Sequence, residues 1–151
     1  MFSLSNRGQS IALAVLFTLF HTVTAIQFFD NSTVPTNLTT TCTNAILSDV
    51  NCSPVVASLR SGSYYPNSTL ERTCTTDCEN ALSTYQSNIV EACDTETWNG
   101  YEDASLPVVM IPDLLRYHFG LICLMDSGRY CNNVAAAYAA SLDPSGRLSL
   151  R

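Results

Sequence analysis

Lysine is absent from all 151 residues, and seven arginines face thirteen acidic side chains, for a formal charge of −6. No basic cluster occurs anywhere in the chain. Such a chain is unsuited to nucleic acid, to an anionic membrane surface or to an acidic polysaccharide. Nor is there an apolar run of the roughly twenty residues that span a bilayer. The run from Ile11 to Phe20 (IALAVLFTLF) is half that length. It follows Arg7, the only charge before Asp30, and leads into HTVTA, with Val23 and Ala25 where a signal peptidase reads. A basic start, a short hydrophobic centre and a small-residue end predict a secretory signal peptide over residues 1–25. The mature chain then begins at Ile26 and is extracellular, and the loss of Arg7 takes its charge from −6 to −7.

The spacings that hold metals are missing too. Cys74 and Cys78 stand four apart in RTCTTDCENAL, and His118 is the one histidine beyond the signal peptide. Zinc sites call for C-x-x-C elements in pairs or with histidines, and thioredoxin-like redox chemistry for C-x-x-C beside a βαβ unit. Neither pattern is present, so no metal or cofactor is expected. In an oxidising secretory lumen, nearby thiols become disulfides. Cys42, Cys52, Cys74, Cys78, Cys93 and Cys123 are expected to form three bridges. The seventh cysteine cannot pair within the chain. Cys131, the last one, is expected to be spare and open to a disulfide-linked dimer, with Cys42 as the alternative.

Strand-like alternation is scarce, with VVMI at 108–111 the one short candidate, and no internal repeat is visible. The expected fold is all-α, a small disulfide-rich bundle of four to five short helices. CTNAILSDV makes a short first piece. Ser53 offers an N-cap with Pro54 at the first helical position, and VVASLR runs on to Gly62. Ser68 with Glu71, and Thr76 with Glu79, have capping-box spacing. The second pair opens the strongest helix, where Cys78, Ala81, Leu82, Tyr85, Ile89, Ala92 and Cys93 share one face. DTETWNGYEDASLP reads as a loop. Pro112 then starts a helix whose apolar face is Leu114, Leu115, His118, Leu121, Ile122 and Met125. DSGRYC is a turn, and NNVAAAYAASL a final helix. Cys78 and Cys93 are some 22 Å apart at 1.5 Å per residue, against about 5.5 Å for a disulfide. The two ends of the long helix are therefore tied to different neighbours. The connectivity itself stays open.

The N-x-S/T triplets at Asn31, Asn37 and Asn67 are candidate glycosylation sites. Asn51 is crowded by Cys52. Residues 26–41, rich in Thr and Asn, read as a flexible glycosylated leader without a core; 42–142 is the stapled helical domain and 143–151 a tail. Catalytic candidates are weak. His118 sits on an apolar helix face, where a structural role is the ordinary one. Glu102 and Asp103 could work as an acid–base pair, but neighbouring carboxylates in a loop are more often solvated. Tyr64, Tyr65, Trp98 and Tyr101 could stack on sugar rings. Trp98 and Tyr101 are the ligand-contact candidates, and a catalytic residue is not expected.

The stretch TLERTCTTDCENALSTYQSNIVEAC, followed by TWNGYEDASLPVVMIPDLLRYHFGLICLMDSGRYCNNVAA, resembles the N-terminal region of fungal secreted proteins that carry lysin-motif (LysM) domains. The likeness covers roughly residues 42–140. LERTCTTDC, the cysteine ending the long helix, and CLMDSGRYCN are its most specific parts. In that family the region precedes LysM modules, which bind chitin and related N-acetylglucosamine polymers. The resemblance implies a secreted, non-catalytic accessory module associated with chitin and cell-wall recognition. No stretch here resembles the LysM start Y-x-V-x-x-G-D-T-L, so no chitin-binding residue carries over. Chitin is expected as a partner only through LysM modules absent from this chain, as in a stand-alone effector or a truncated relative. Additional cysteines downstream in longer relatives would supply a partner for Cys131. The alternative is a secreted enzyme or enzyme inhibitor acting through the acidic aromatic loop 98–103.

Overall fold

The computed structural model describes residues 25–99 and 105–142. The expected signal peptide, apart from Ala25, and the expected tail lie outside the described residues. Ala25–Ile26 (β1) pairs antiparallel with Val50–Asn51 (β2). Between them, Thr39 opens α1 (Thr40–Ile46): its hydroxyl accepts from the Cys42 amide at 3.2 Å, satisfying a donor that a helix start leaves free. The Ser53–Pro54 signal produces a short 3-10 helix, Pro54–Ser58, with the Ser53 side chain accepting from the Val55 amide. After Gly62, at φ +80°, come α2 (Asn67–Thr73) and α3 (Thr76–Cys93). A hairpin of Thr97–Asn99 (β3) and Ser105–Pro107 (β4) leads to α4 (Met110–Ile122). A second, Met125–Asp126 (β5) with Arg129–Tyr130 (β6), leads to α5 (Cys131–Ser141). The result is a mostly helical, disulfide-rich domain whose sheets have two strands each.

The long helix α3 is the spine. Thr75 caps it, and Asp77 and Glu79 in its first turn complement the positive end of the helix dipole. Cys78, Leu82, Tyr85, Ile89 and Cys93 form its buried face at helical spacing. Ile46 from α1 and Phe119 and Ile122 from α4 belong to the same core. The Tyr85 hydroxyl crosses that core to donate to the Ile46 carbonyl at 2.9 Å. This satisfies a polar group that burial would otherwise strand.

Three disulfides brace the spine. Cys42–Cys93 ties α1 to the end of α3; Cys52–Cys78 ties the segment after β2 to its start. Cys74–Cys123 joins the end of α2 to the end of α4. Cys131 is free and half-buried at the first position of α5, its amide donating to the Leu124 carbonyl at 2.8 Å.

Several local expectations are corrected. Residues 26–41 are not a leader without a core. Val34 is buried, Phe28, Phe29 and Leu38 pack on the core, and β1 is hydrogen-bonded to β2. Four apolar side chains outweigh the polar composition around them. Neither capping box forms, because Ser68 lies inside α2 and the cap of α3 is Thr75 rather than Thr76. VVMI is not a strand: Val108 is buried, donates its amide to the Glu96 carbonyl at 3.0 Å, and the chain turns into α4 at Met110. Pro112 fits inside the first turn, where no helical amide bond is lost. On α4 the buried positions are Pro112, Phe119 and Ile122, whereas Leu114, Leu121 and Met125 are exposed. DTETWNGYEDASLP carries both strands of a hairpin. DSGRYC holds another, turning through Ser127 and Gly128 at φ +50° and +76°, the two-residue geometry that matches strand twist.

Candidate functional site

Trp98, in β3, is positioned by the β3–β4 hairpin, where it pairs with Leu106. Two features of the preceding residues lock that hairpin to the N-terminal segment. Glu96 receives the Thr39 amide at 2.8 Å and the Thr39 hydroxyl at 2.6 Å through its two carboxylate oxygens. The Asn37 side-chain amide donates to the Thr97 carbonyl at 3.0 Å. The Trp98 and Phe29 rings then meet at 5.3 Å and 52°, while Phe28 meets Tyr85 at 5.5 Å. Tilted aromatic pairs at this separation are favourable beyond the area they bury.

The outer side of this aromatic group is an open cleft of about 520 Å³ walled by Gln27, Phe28, Phe29, Asp30, Thr33 and Trp98. Among the described residues its one carboxylate is Asp30, which is committed to a turn. Asp30 Oδ1 accepts from the Ser32 hydroxyl at 2.5 Å, the Ser32 amide at 2.8 Å and the Thr33 amide at 3.1 Å. The Ser32 bonds, hydroxyl before amide, hold the Asp30 carboxyl below the usual carboxylate range, with the Thr33 amide adding to them. The cleft can offer apolar ring faces and an amide edge to a neutral ligand. Proton transfer is a poorer fit, since a carboxylate held ionised by donated hydrogen bonds is a weak acid–base catalyst. Tyr101, Glu102 and Asp103, and with them most of the acidic aromatic loop, lie outside the described residues.

The other candidates lie apart from this cleft. His118, half-buried on α4, has its Nδ1 3.0 Å from the Ser61 hydroxyl and its ring edge-on to Tyr117. Tyr65 accepts the Arg60 amide through its hydroxyl and donates to the Ser58 carbonyl, so it braces a turn; Tyr64 is exposed. Among the described residues, no group of His, Cys, Asp and Glu is gathered as a metal would need. Asn31 is exposed. Asn67 is exposed as well, with its side-chain amide donating to Glu71 at 2.5 Å. Sequence reasoning missed Phe28 and Phe29. A paired aromatic three residues after Ala25, ahead of a polar stretch, was the available signal.

A family model described as the secreted LysM effector N-terminal domain matches residues 17–137. A LysM domain-containing protein of Arthroderma benhamiae is 39% identical over 123 residues, covering 82% of this chain and 23% of that protein. The secreted LysM effector Vd5LysM of Verticillium dahliae is 36% identical over 116 residues, covering 76% of this chain and 17% of that protein. The chain thus spans less than a quarter of the length of these curated relatives. No solved structure matches it.

Proposed function

The chain belongs to the family of secreted LysM effector N-terminal domains, and from that premise we propose that it is a secreted, non-catalytic glycoprotein module. It accompanies chitin- and cell-wall-recognising LysM modules and does not itself hold the polymer. The observation that carries this reading is the match over residues 17–137 to a domain defined by its place at the N-terminus of LysM effectors. The employment of the candidate side chains supports it. Glu96 holds the capping residue Thr39, Asp30 closes a turn, Trp98 packs on Phe29, and His118 is engaged by Ser61. Groups already spent on structure are poor acids, bases or nucleophiles.

Secretion and glycosylation belong to the same reading. The mature chain starts at Ile26 and carries sugar on Asn67 and on at least one of Asn31 and Asn37. Cys131 is the group through which the chain joins a further cysteine, of a second copy or of a downstream module. The test is retention on chitin beads, for this chain alone and for this chain followed by the LysM modules of a relative, beside a panel of glycosidase and protease substrates. Retention of the joined form only, with no turnover, is expected. Tight retention of the chain alone, or turnover of any substrate, overturns the reading. N-terminal sequencing from Met1, or no mass change after glycosidase treatment, overturns the secretion and glycan parts.

A further inference from the structure

Helix α4 is apolar on two faces, and only one of them meets the core. Ile111, Pro112, Leu115, Phe119 and Ile122 are buried or packed against it. Met110, Leu114, Tyr117 and Leu121 are 51%, 57%, 61% and 42% exposed. Steps of four, three and four residues keep these four side chains within one narrow stripe of the helix. Leu124 and Met125, just beyond the helix end, are also more than half exposed. Six large side chains at half exposure present about 600 Å² of apolar surface, the upper end of what a monomer ordinarily leaves open.

The stripe reads the same in both directions about the midpoint between Leu115 and Arg116. We propose that it is the interface of a two-fold homodimer in which α4 packs antiparallel on α4 of a second copy. In that arrangement Met110 meets the partner's Leu121, and Leu114 meets the partner's Tyr117, with each contact made twice. Asp113 borders the stripe, whereas Arg116 lies further round the helix toward α3, and both are hydrogen-bonded to Gln86. Gly120, beside the stripe, has open space where a Cβ would stand, which leaves room for close approach. Two such surfaces bury about 1,200 Å², the lower edge of specific interfaces. A reversible dimer of micromolar to sub-millimolar dissociation constant is therefore expected, not a permanent one.

This inference does not depend on the functional reading above, and its test is separate from chitin retention. Sedimentation equilibrium of the secreted full chain, across a dilution series from about 1 μM to about 1 mM, should follow a monomer–dimer equilibrium. Leu114→Asp and Tyr117→Asp, both at exposed positions, should each weaken it at least tenfold while leaving the thermal transition in place. Cys131→Ser should leave it unchanged, because the α4 interface uses no thiol. In that background, Leu114→Cys chains mixed with Tyr117→Cys chains should cross-link to each other faster than either does to itself. A monomer throughout the series overturns the proposal. So does a dimer that vanishes with Cys131→Ser, one indifferent to both aspartates, or cross-linking that favours Leu114→Cys with itself.

Discussion

Under native conditions the three disulfides should be reduced in a fixed order, with Cys74–Cys123 first. Both cysteines of that bridge are only partly buried. Cys42 and Cys93 are 0% exposed, and Cys52 and Cys78 are 4% and 2%. Exchange requires the attacking thiolate to reach a sulfur, so the buried bridges react only through openings of the core. If those openings cost at least about 3 kcal/mol, the buried bridges lag by at least about a hundredfold. The first cut is also consequential. Cys74–Cys123 spans 49 residues of sequence, and releasing a loop of that length costs about 4 kcal/mol in the unfolded-chain model. That is a large part of the ~5–15 kcal/mol by which small domains are stable. A fall in melting temperature of about 15–25 °C follows, with a cooperative transition retained. The assay is timed reduction of the Cys131→Ser chain, so that no spare thiol reshuffles the bridges, followed by alkylation and peptide mapping. A Cys74→Ser/Cys123→Ser chain supplies the equilibrium measurement. Alkylation of Cys42 and Cys93 before Cys74 and Cys123, or simultaneous loss of all three bridges, would refute the reasoning from burial.

Other perturbations test the core and the N-terminal turn. Tyr85→Phe removes the hydroxyl that meets the Ile46 carbonyl and should cost about 1–2 kcal/mol, read by denaturant unfolding. Burial also pushes the Tyr85 phenol above its ordinary value, so a titration that finds it ionising normally in the folded chain contradicts its placement. Thr73 is buried, and its hydroxyl lacks a hydrogen-bond partner. Thr73→Val should therefore be neutral or stabilise by up to about 1 kcal/mol, and a clear loss of stability would show that the hydroxyl is bonded. Asp30, held below the ordinary carboxylate range by Ser32 and Thr33, supports its turn fully above the unfolded carboxylate pKa. That support is lost as pH falls through the lower folded value. An NMR titration placing Asp30 at or above an ordinary aspartate contradicts the turn geometry.

The helical, disulfide-rich class was legible because its evidence was long. Eighteen residues of α3 repeat one buried face five times, and signals of that length survive local noise. The two later hairpins were not legible, since strands of two or three residues are too short to show alternation. Ser127–Gly128, a two-residue turn between Asp126 and Arg129, was the one cue available. Residues 26–41 misled by composition, their Thr and Asn content masking Phe28, Phe29 and Val34. On α4 the difficulty was of another kind. Leu114 and Leu121 have the same spacing as Leu115 and Ile122, and periodicity cannot say which of two adjacent apolar stripes faces inward. The Cys74–Cys123 bridge and the α3 contact decide it, and disulfide connectivity cannot be deduced from spacing. Trp98 was singled out from sequence, but the aromatic partners that wall its cleft were not.

The three bridges also divide the domain by how firmly each part is held. Every disulfide joins elements between Cys42 and Cys123, so of the five described α-helices α5 alone is reached by no bridge. Its mainly alanine surface contributes a single buried side chain, Asn132. That residue docks the helix through polar contacts, accepting the Tyr65 amide at 2.9 Å and donating to the Ser63 carbonyl at 2.8 Å. Asn133 adds a third contact, donating to the Asn67 side-chain oxygen at 3.0 Å, and a few exchangeable hydrogen bonds of about 1 kcal/mol each hold a helix less firmly than a covalent bridge does. The unpaired cysteine stands at the first residue of this same helix. A disulfide from Cys131 to any outside cysteine would thus tether the least anchored element and leave the braced core unchanged. It would also leave the α4 stripe free, because that stripe lies on a helix already secured by Cys123.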